Sequence, residues 1–323
     1  LVENREVIAE QLDAMAYIME DCAKKQKNIT EECRSNLQDI AYRARERGIK
    51  VIDEQLWEKE NGRWQLVMKV MVKDGCVTTR ELTKAVAGAL NRRMIPEKDT
   101  KTLIGKGVNL YTYEEEPRFQ AIYGVARMVK DGAAVSGDNF SFLEPESGKM
   151  VMCLSDGMSS GSLACKESEM VIELVEKFLE AGFDVETAAR MMNSAMVMKG
   201  QEDLFSTVDI SELDLYDGTC RFYKIGAAAT FIRRNGIVEC LISTSLPVGV
   251  SYKLDMEKSE KDLYNGDFLV MVSDGVLEYL HVPNPEETMQ EIIESIETNN
   301  ATILAKRILE RVLLFTGGKA ADD

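Results

Sequence analysis

The chain has 323 residues and is 45% hydrophobic, enough for two domains or one large one with a proper core. Its 55 acidic and 39 basic residues leave a net charge of −16, which argues against nucleic-acid backbone binding and is compatible with metal ions or a basic partner. No apolar run approaches the roughly 18 residues of a membrane span, and no signal peptide opens the sequence. The seven cysteines are scattered, odd in number and without a CxxC pair, and there is one histidine, His281. That usage reads as reduced and cytosolic, without a disulfide framework or a zinc site. The first residue is Leu1, so the expectation is a piece of a longer protein.

Residues 1–28 read as a helix, with Ile8, Leu12, Met15, Met19 and Cys22 forming one apolar seam, either core or a dimer helix. Thr30 is an expected N-cap of a second helix that ends in a basic turn at Gly48. Strands follow at 49–57 and 63–72, joined through Asn61-Gly62. Thr78-Thr79-Arg80-Glu81 reads as a capping box opening a helix to about Met94, and Pro96 closes the unit. Residues 1–117 are therefore read as a small α/β regulatory or oligomerisation module with a long N-terminal helix. It carries no catalytic constellation.

A second domain is expected over 118–323. Strands are predicted at 108–114 and 119–130, and Ser136-Gly137-Asp138-Asn139 is placed between two strands. The next stretch, Met150 to Ser155, is a buried strand that closes on Asp156-Gly157-Met158 and is followed by helices over 164–181 and 185–198. Strands are expected at 206–216, 219–225, 229–233 and 237–242, then a breaker at Leu246-Pro247-Val248-Gly249. The strand-to-acid element then recurs: Phe268 to Val272 closes on Ser273-Asp274-Gly275. Helices over 286–298 and 301–315 end the order. Strands, a helix pair, strands and a helix pair predict a layered α+β sandwich with sheets inside and helices outside.

Of five Asp-Gly pairs, those at Asp74, Asp131 and Asp217 sit between strands and read as turns. Asp156 and Asp274 differ, because no return strand follows either. Two such strand ends can place two carboxylates at one sheet rim, a natural cage for hard divalent cations. Asp138 and the terminal pair Asp322 and Asp323 add further acids without a local basic partner. Brought together, these carboxylates repel one another unless something cationic intervenes. Two divalent ions about 3.5–4 Å apart do so, and they suit phosphate-ester hydrolysis. Taken alone, Asp138 reads as a turn cap, and His281 as a surface or packing residue.

The ordered set Ser136-Gly137-Asp138-Asn139, Asp156-Gly157-Met158, Leu246-Pro247-Val248-Gly249, Ser273-Asp274-Gly275 and Asp322-Asp323 is similar to that of the metal-dependent PP2C-type serine/threonine phosphatases, over roughly residues 118–323. With the module ahead of it, the chain resembles the cytoplasmic part of the stage II sporulation protein E family. The resemblance implies a PP2C-like α-β-β-α sandwich lacking its last strand and two Mn²⁺ or Mg²⁺ ions. Asp156 would bridge them, the Gly157 carbonyl would hold the first, Asp274 with Asp322 or Asp323 the second, and Asp138 a metal-bound water or a further ion. It implies a phosphoserine anti-anti-sigma factor as substrate, release of a sporulation sigma factor, and homo-oligomers through the module. A cell-division protein is a further implied partner, with tethering at the cytoplasmic face of the membrane by a region outside this sequence. Ser159 departs from the glycine common at that position and would be costly if the site demands positive φ. No arginine occupies the phosphate-holding position of eukaryotic relatives, so phosphate would be held mainly by the metals. The competing reading is a partner-binding scaffold or pseudophosphatase acting through the N-terminal module; a weaker third is an acid-rich regulatory dimer responsive to metal.

Overall fold

The computed structural model describes residues 31–58, 63–97, 100–129, 135–145, 148–159, 161–198, 205–251 and 253–315. The seam over 1–28, the Thr30 cap, the Asn61-Gly62 turn and the terminal Asp322-Asp323 pair lie outside the described residues. The described chain forms two compact units, one ending at Pro117 and one starting at Arg118.

In the first unit, helix α1 (Glu31–Glu46) precedes β1 (Ile49–Glu58) and β2 (Trp64–Val72). These are followed by β3 (Val77–Thr78), α2 (Thr79–Leu90), β4 (Met94–Pro96), β5 (Leu103–Ile104) and β6 (Asn109–Glu115). The main sheet runs β1-β2-β6-β4 and is antiparallel throughout. Alternation along β2 buries Trp64, Leu66, Met68, Val70 and Val72 on one face, where Ile40 and Ala44 of α1 and Leu82, Ala85 and Val86 of α2 cover them. The expected capping box does not form. Thr78, paired with Leu103 on the β3–β5 ladder, makes no side-chain cap bond, and the Thr79 hydroxyl donates to the Lys101 carbonyl.

The second unit contains β7 (Asp138–Leu143), β8 (Lys149–Gly157), α3 (Ser162–Glu180) and α4 (Val185–Met198). Next come β9 (Ser206–Asp214), β10 (Thr219–Ile225), β11 (Thr230–Arg234), β12 (Ile237–Leu241), β13 (Glu257–Asp262) and β14 (Phe268–Met271). Three helices close it: α5 (Asp274–Glu278), α6 (Pro285–Glu294) and α7 (Ala301–Phe315). One sheet runs β13-β10-β9-β8-β7 and the other β12-β11-β14.

The alternation of side chains assigns the layers. Val151, Cys153, Val208, Ile210 and Ile225 face α3 and α4. Phe231 and Val238 face α6 and α7, where Met289, Ile293 and Ile308 meet them. The opposite faces meet each other through Phe222, Cys220, Ile232 and Leu269. The result is helices on sheet on sheet on helices, the expected α-β-β-α sandwich.

Three local expectations are corrected. Residues 119–129, read as a strand, join no ladder among the described residues; Tyr123 stacks flat on Phe142 at 4.1 Å instead, so this stretch is held by side-chain packing rather than by strand pairing. Asp138 does not sit between strands but opens β7. β13 was not foreseen: Glu-Lys-Ser-Glu-Lys-Asp has no apolar alternation, and it pairs with β10 alone as an edge. Among the described residues, no helix is long and apolar enough to cross a membrane.

Candidate metal centre

The acids come together from both sheets. Asp138 and Asp156 are direct partners across the β7–β8 ladder, and Asp156 also faces Thr207 of β9. Directly opposed residues of an antiparallel pair hold their Cβ atoms about 4.5–5.5 Å apart on one face. Asp274 arrives from the second sheet, two residues beyond the end of β14, as the first residue of α5. The Asp274 and Asp138 carboxyls are both close enough to act electrostatically on that of Asp156. Asp138 is buried, Asp156 partly so, and Asp274 is exposed.

This arrangement is electrostatically unfavourable as it stands. Burial above all, then the Asp274 and Asp138 carboxyls, push Asp156 far above the ordinary carboxylate range, and every group acting on it raises it. Among the described residues no group of three acid, histidine or cysteine side chains stands ready to hold a metal ion. Hard oxygen donors gathered from two sheets, with the central one resisting ionisation, are the donor set that a divalent cation satisfies.

The backbone around the acids is fixed in part by residues that the sequence did not single out. Ser206 Oγ donates to the Asp156 carbonyl at 2.6 Å and lies 2.8 Å from Ser155 Oγ, itself bonded to the Thr207 carbonyl. The Ser136-to-Asn139 turn is tied to α3: Asn139 Nδ2 donates to Ser168 Oγ at 2.8 Å, and Ser168 Oγ donates to the Gly137 carbonyl. Arg127 Nη2 donates to the Asp138 carbonyl at 2.7 Å. Asn139 and Ser155 lie within stretches that the sequence marks; Arg127, Ser168 and Ser206 are residues of ordinary type, up to about fifty positions from their partners, and no local pattern marks them.

Gly157 is required by close approach. A Cβ there would stand 2.1 Å from the Ala164 carbonyl oxygen, so β8 can run under the start of α3 only without a side chain. Ser159 turns out to bear no strain. Among the described residues the non-glycine positions with positive φ are Asn91, Asn235 and His281, and Gly161 takes φ 62° in this loop. Ser159 uses its main-chain N–H and its hydroxyl to bind the two oxygens of the buried Glu167 carboxylate, at 3.1 and 2.5 Å. The departure from glycine is thus a hydrogen-bonded clasp between loop and helix. Leu246 to Gly249, read as a breaker, docks beside the same region: Val248 N–H donates to the Ser206 carbonyl at 3.0 Å.

Residues 146–323 match the family model described as stage II sporulation protein E. The chain belongs to the stage II sporulation protein E family. It is 27% identical over 322 residues to stage II sporulation protein E of Bacillus subtilis (strain 168), covering 99% of this chain and 39% of that protein. It is 28% identical over 326 residues to the Priestia megaterium protein of the same name, covering 99% of this chain and 55% of that one. The chain therefore spans little more than half, or less, of the curated relatives that it matches. A solved structure of the PP2C phosphatase domain and a fragment of the regulatory domain of SpoIIE from Bacillus subtilis superposes with a TM-score of 0.68 at 28% identity, covering 99% of this chain and 94% of that one. The unit that carries the acids has the PP2C-type fold of that phosphatase domain.

Proposed function

We propose that the chain is a metal-dependent protein serine phosphatase whose centre is the cluster Asp138, Asp156 and Asp274. The observation that carries this reading is the convergence of three carboxylates from two sheets, with Asp156, the central one, raised far above the ordinary carboxylate range by burial and by the other two. Asp156, the Gly157 carbonyl and Asp274 would hold divalent ions, two in number and Mn²⁺ or Mg²⁺ in kind, with Asp138 and one of Asp322 and Asp323 completing the set. Ions so held supply positive charge to the phosphoryl oxygens and make water acidic enough to attack near neutral pH. The chain's own part is placement. Ser155 and Ser206 set the height of the Asp156 backbone, the Asn139–Ser168 contact sets that of Asp138, and α5 presents Asp274 to both.

The family supports a finer reading: the substrate is a phosphoserine anti-anti-sigma factor, and dephosphorylation releases a sporulation sigma factor. Residues 1–117 serve as the regulatory and oligomerising module over which a cell-division protein acts, and a region outside this sequence tethers the protein to the cytoplasmic face of the membrane. The test is Mn²⁺-dependent phosphate release from a phosphoserine protein, with Asp274→Asn beside the parent. Turnover should require Mn²⁺ and fall at least a hundredfold in the variant, the usual order for losing a group that organises transition-state charge. Turnover that survives in Asp274→Asn, or needs no metal, would sink the reading; metal binding by a folded chain without turnover would favour the scaffold.

A further inference from the structure

A cavity of about 300 Å³ opens beside Asp274, and the acid cluster does not account for it. Its walls come from three places: the Ala227-Ala228-Ala229 stretch before β11, Ile242 and Ser243 after β12, and the segment from α5 to the start of α6. Ala228, Leu277 and Val282 give it apolar sides. Glu278 and Glu286 stand on it with Asp274, and no lysine or arginine lines it. Asp274 belongs to both features, so a substrate whose phosphate reaches the acids passes over this groove.

Two observations indicate a preformed site. The alanine wall is fixed from behind: Lys224 Nζ, itself buried, donates to the Ala228 carbonyl at 2.6 Å while paired with Asp209 at 2.6 Å. On the opposite side His281, an exposed groove residue, is held at φ 48°, in the left-handed region that a bulky side chain avoids. Its N–H donates to the Glu278 carbonyl at 3.2 Å, closing the turn after α5. Non-glycine residues kept in that region concentrate at binding and catalytic sites, where the surroundings over-determine them.

The chemistry of the walls selects the occupant. A groove lined by aliphatic side chains and carboxylates suits a side chain with an aliphatic stem and a cationic head, which is a description of lysine and arginine. A phosphate would be repelled by Glu278 and Glu286, and a fully apolar side chain would leave both carboxylates without a partner. We infer that this groove is a specificity subsite that receives a basic side chain of the substrate protein, close in space to the phosphoserine. The inference rests on the phosphatase reading above and adds to it a preference carried by Glu278 and Glu286.

The experiment uses the full chain with Mn²⁺ and phosphoserine peptides in which lysine or norleucine is placed in turn at each of three positions on either side of the phosphoserine. At one position or more, lysine should raise kcat/KM about five- to tenfold over norleucine, the range for a partly shielded ion pair, and the gain should lie in KM. In the Glu278→Gln/Glu286→Gln double variant that ratio should fall to about one. Glu278→Lys should shift the preference to a glutamate peptide at the same position. Both acids are at the surface, and a circular-dichroism melt checks that each variant is folded. Parent turnover with no preference at any position, or a lysine preference that persists in the double variant, overturns the subsite and leaves the phosphatase intact. Failure of the parent to turn over any peptide removes the phosphatase reading, and the subsite with it.

Discussion

Two groups of carboxylates occupy the layer between the sheets of the second unit, and their surroundings differ. Asp209, on the inner face of β9, is buried with Lys224 opposite it, and Thr230 donates to the same carboxylate oxygen. Burial raises the Asp209 pKa, while Lys224 and Thr230 pull it back. Its other oxygen, Oδ1, has no hydrogen-bond partner. Asp156, on the inner face of the neighbouring strand, has further acids in place of a lysine. One carboxylate brings its counter-charge within the fold, and the other, on the proposed function, would leave that place to a cation from solution. On that proposal the same sandwich holds two ways of withdrawing an acid from water: structural neutralisation, complete when the chain folds, and a functional deficit that a bound ion would complete.

The contrast is sharpest in what happens when charge is removed. Lys224→Met should cost about 3–5 kcal/mol, because it strands Asp209 without compensation in the interior. Adding Asp209→Leu should return most of that loss. Urea unfolding of the three proteins decides it, and a single variant as stable as the parent would show that the pair contributes little.

How far these two places could be read in advance is itself informative. Asp156 and Asp274 were legible because each ends an apolar strand on Asp-Gly with no returning strand, a pattern set by neighbouring residues. The layering was legible for the same reason, through runs such as Val151 to Leu154 and Phe268 to Val272. Asp209 and Lys224 were not, because each sits alone within its own strand and only the β9–β10 register makes them partners. The clasp of Ser159 on Glu167 was equally hidden; the sequence pointed to a backbone penalty where the loop had placed a hydrogen bond. β13 escaped because an edge strand needs no buried face, and 119–129 misled because alternation alone does not supply a ladder partner.

A smaller effect tests the geometry of the acid rim. Gly157→Ala should destabilise the protein by about 1–3 kcal/mol, the usual cost of forcing atoms into a filled space, since its methyl would meet the Ala164 carbonyl. It should also weaken the Mn²⁺ response, measured as a rise in melting temperature on adding the ion. An unchanged midpoint would mean that α3 shifts freely away from β8.

The smallest expected effect has the opposite sign. Asp156→Asn removes one acid from a cluster that repels itself, so the metal-free protein should gain about 1 kcal/mol, or roughly 2–4 °C in a domain of this size. The same variant should lose its melting shift with Mn²⁺. A metal-free loss of stability would place Asp156 with Asp209, as an acid that the fold needs for itself.

The charged edge strand has a bearing on how the molecule behaves in company. An open strand edge is a template on which another chain can add, and growth of that kind leads to fibrils. β13 offers Glu257, Lys258, Glu260, Lys261 and Asp262 in alternating runs of charge, and four of these side chains are engaged within the molecule. Glu257 accepts from the Thr244 N–H and hydroxyl at 2.9 and 3.0 Å. Glu260 pairs with Arg221 at 2.9 Å, Lys258 with Glu186 and Lys261 with Glu239. Exposed pairs of this sort add little to folding free energy. Their weight lies in what they forbid, because a foreign strand would have to strip water and partners from five charges to dock. At high concentration the five-stranded sheet should therefore stay finite on that side, and neutralising Lys258, Glu260 and Lys261 would convert a self-terminating sheet into one that polymerises.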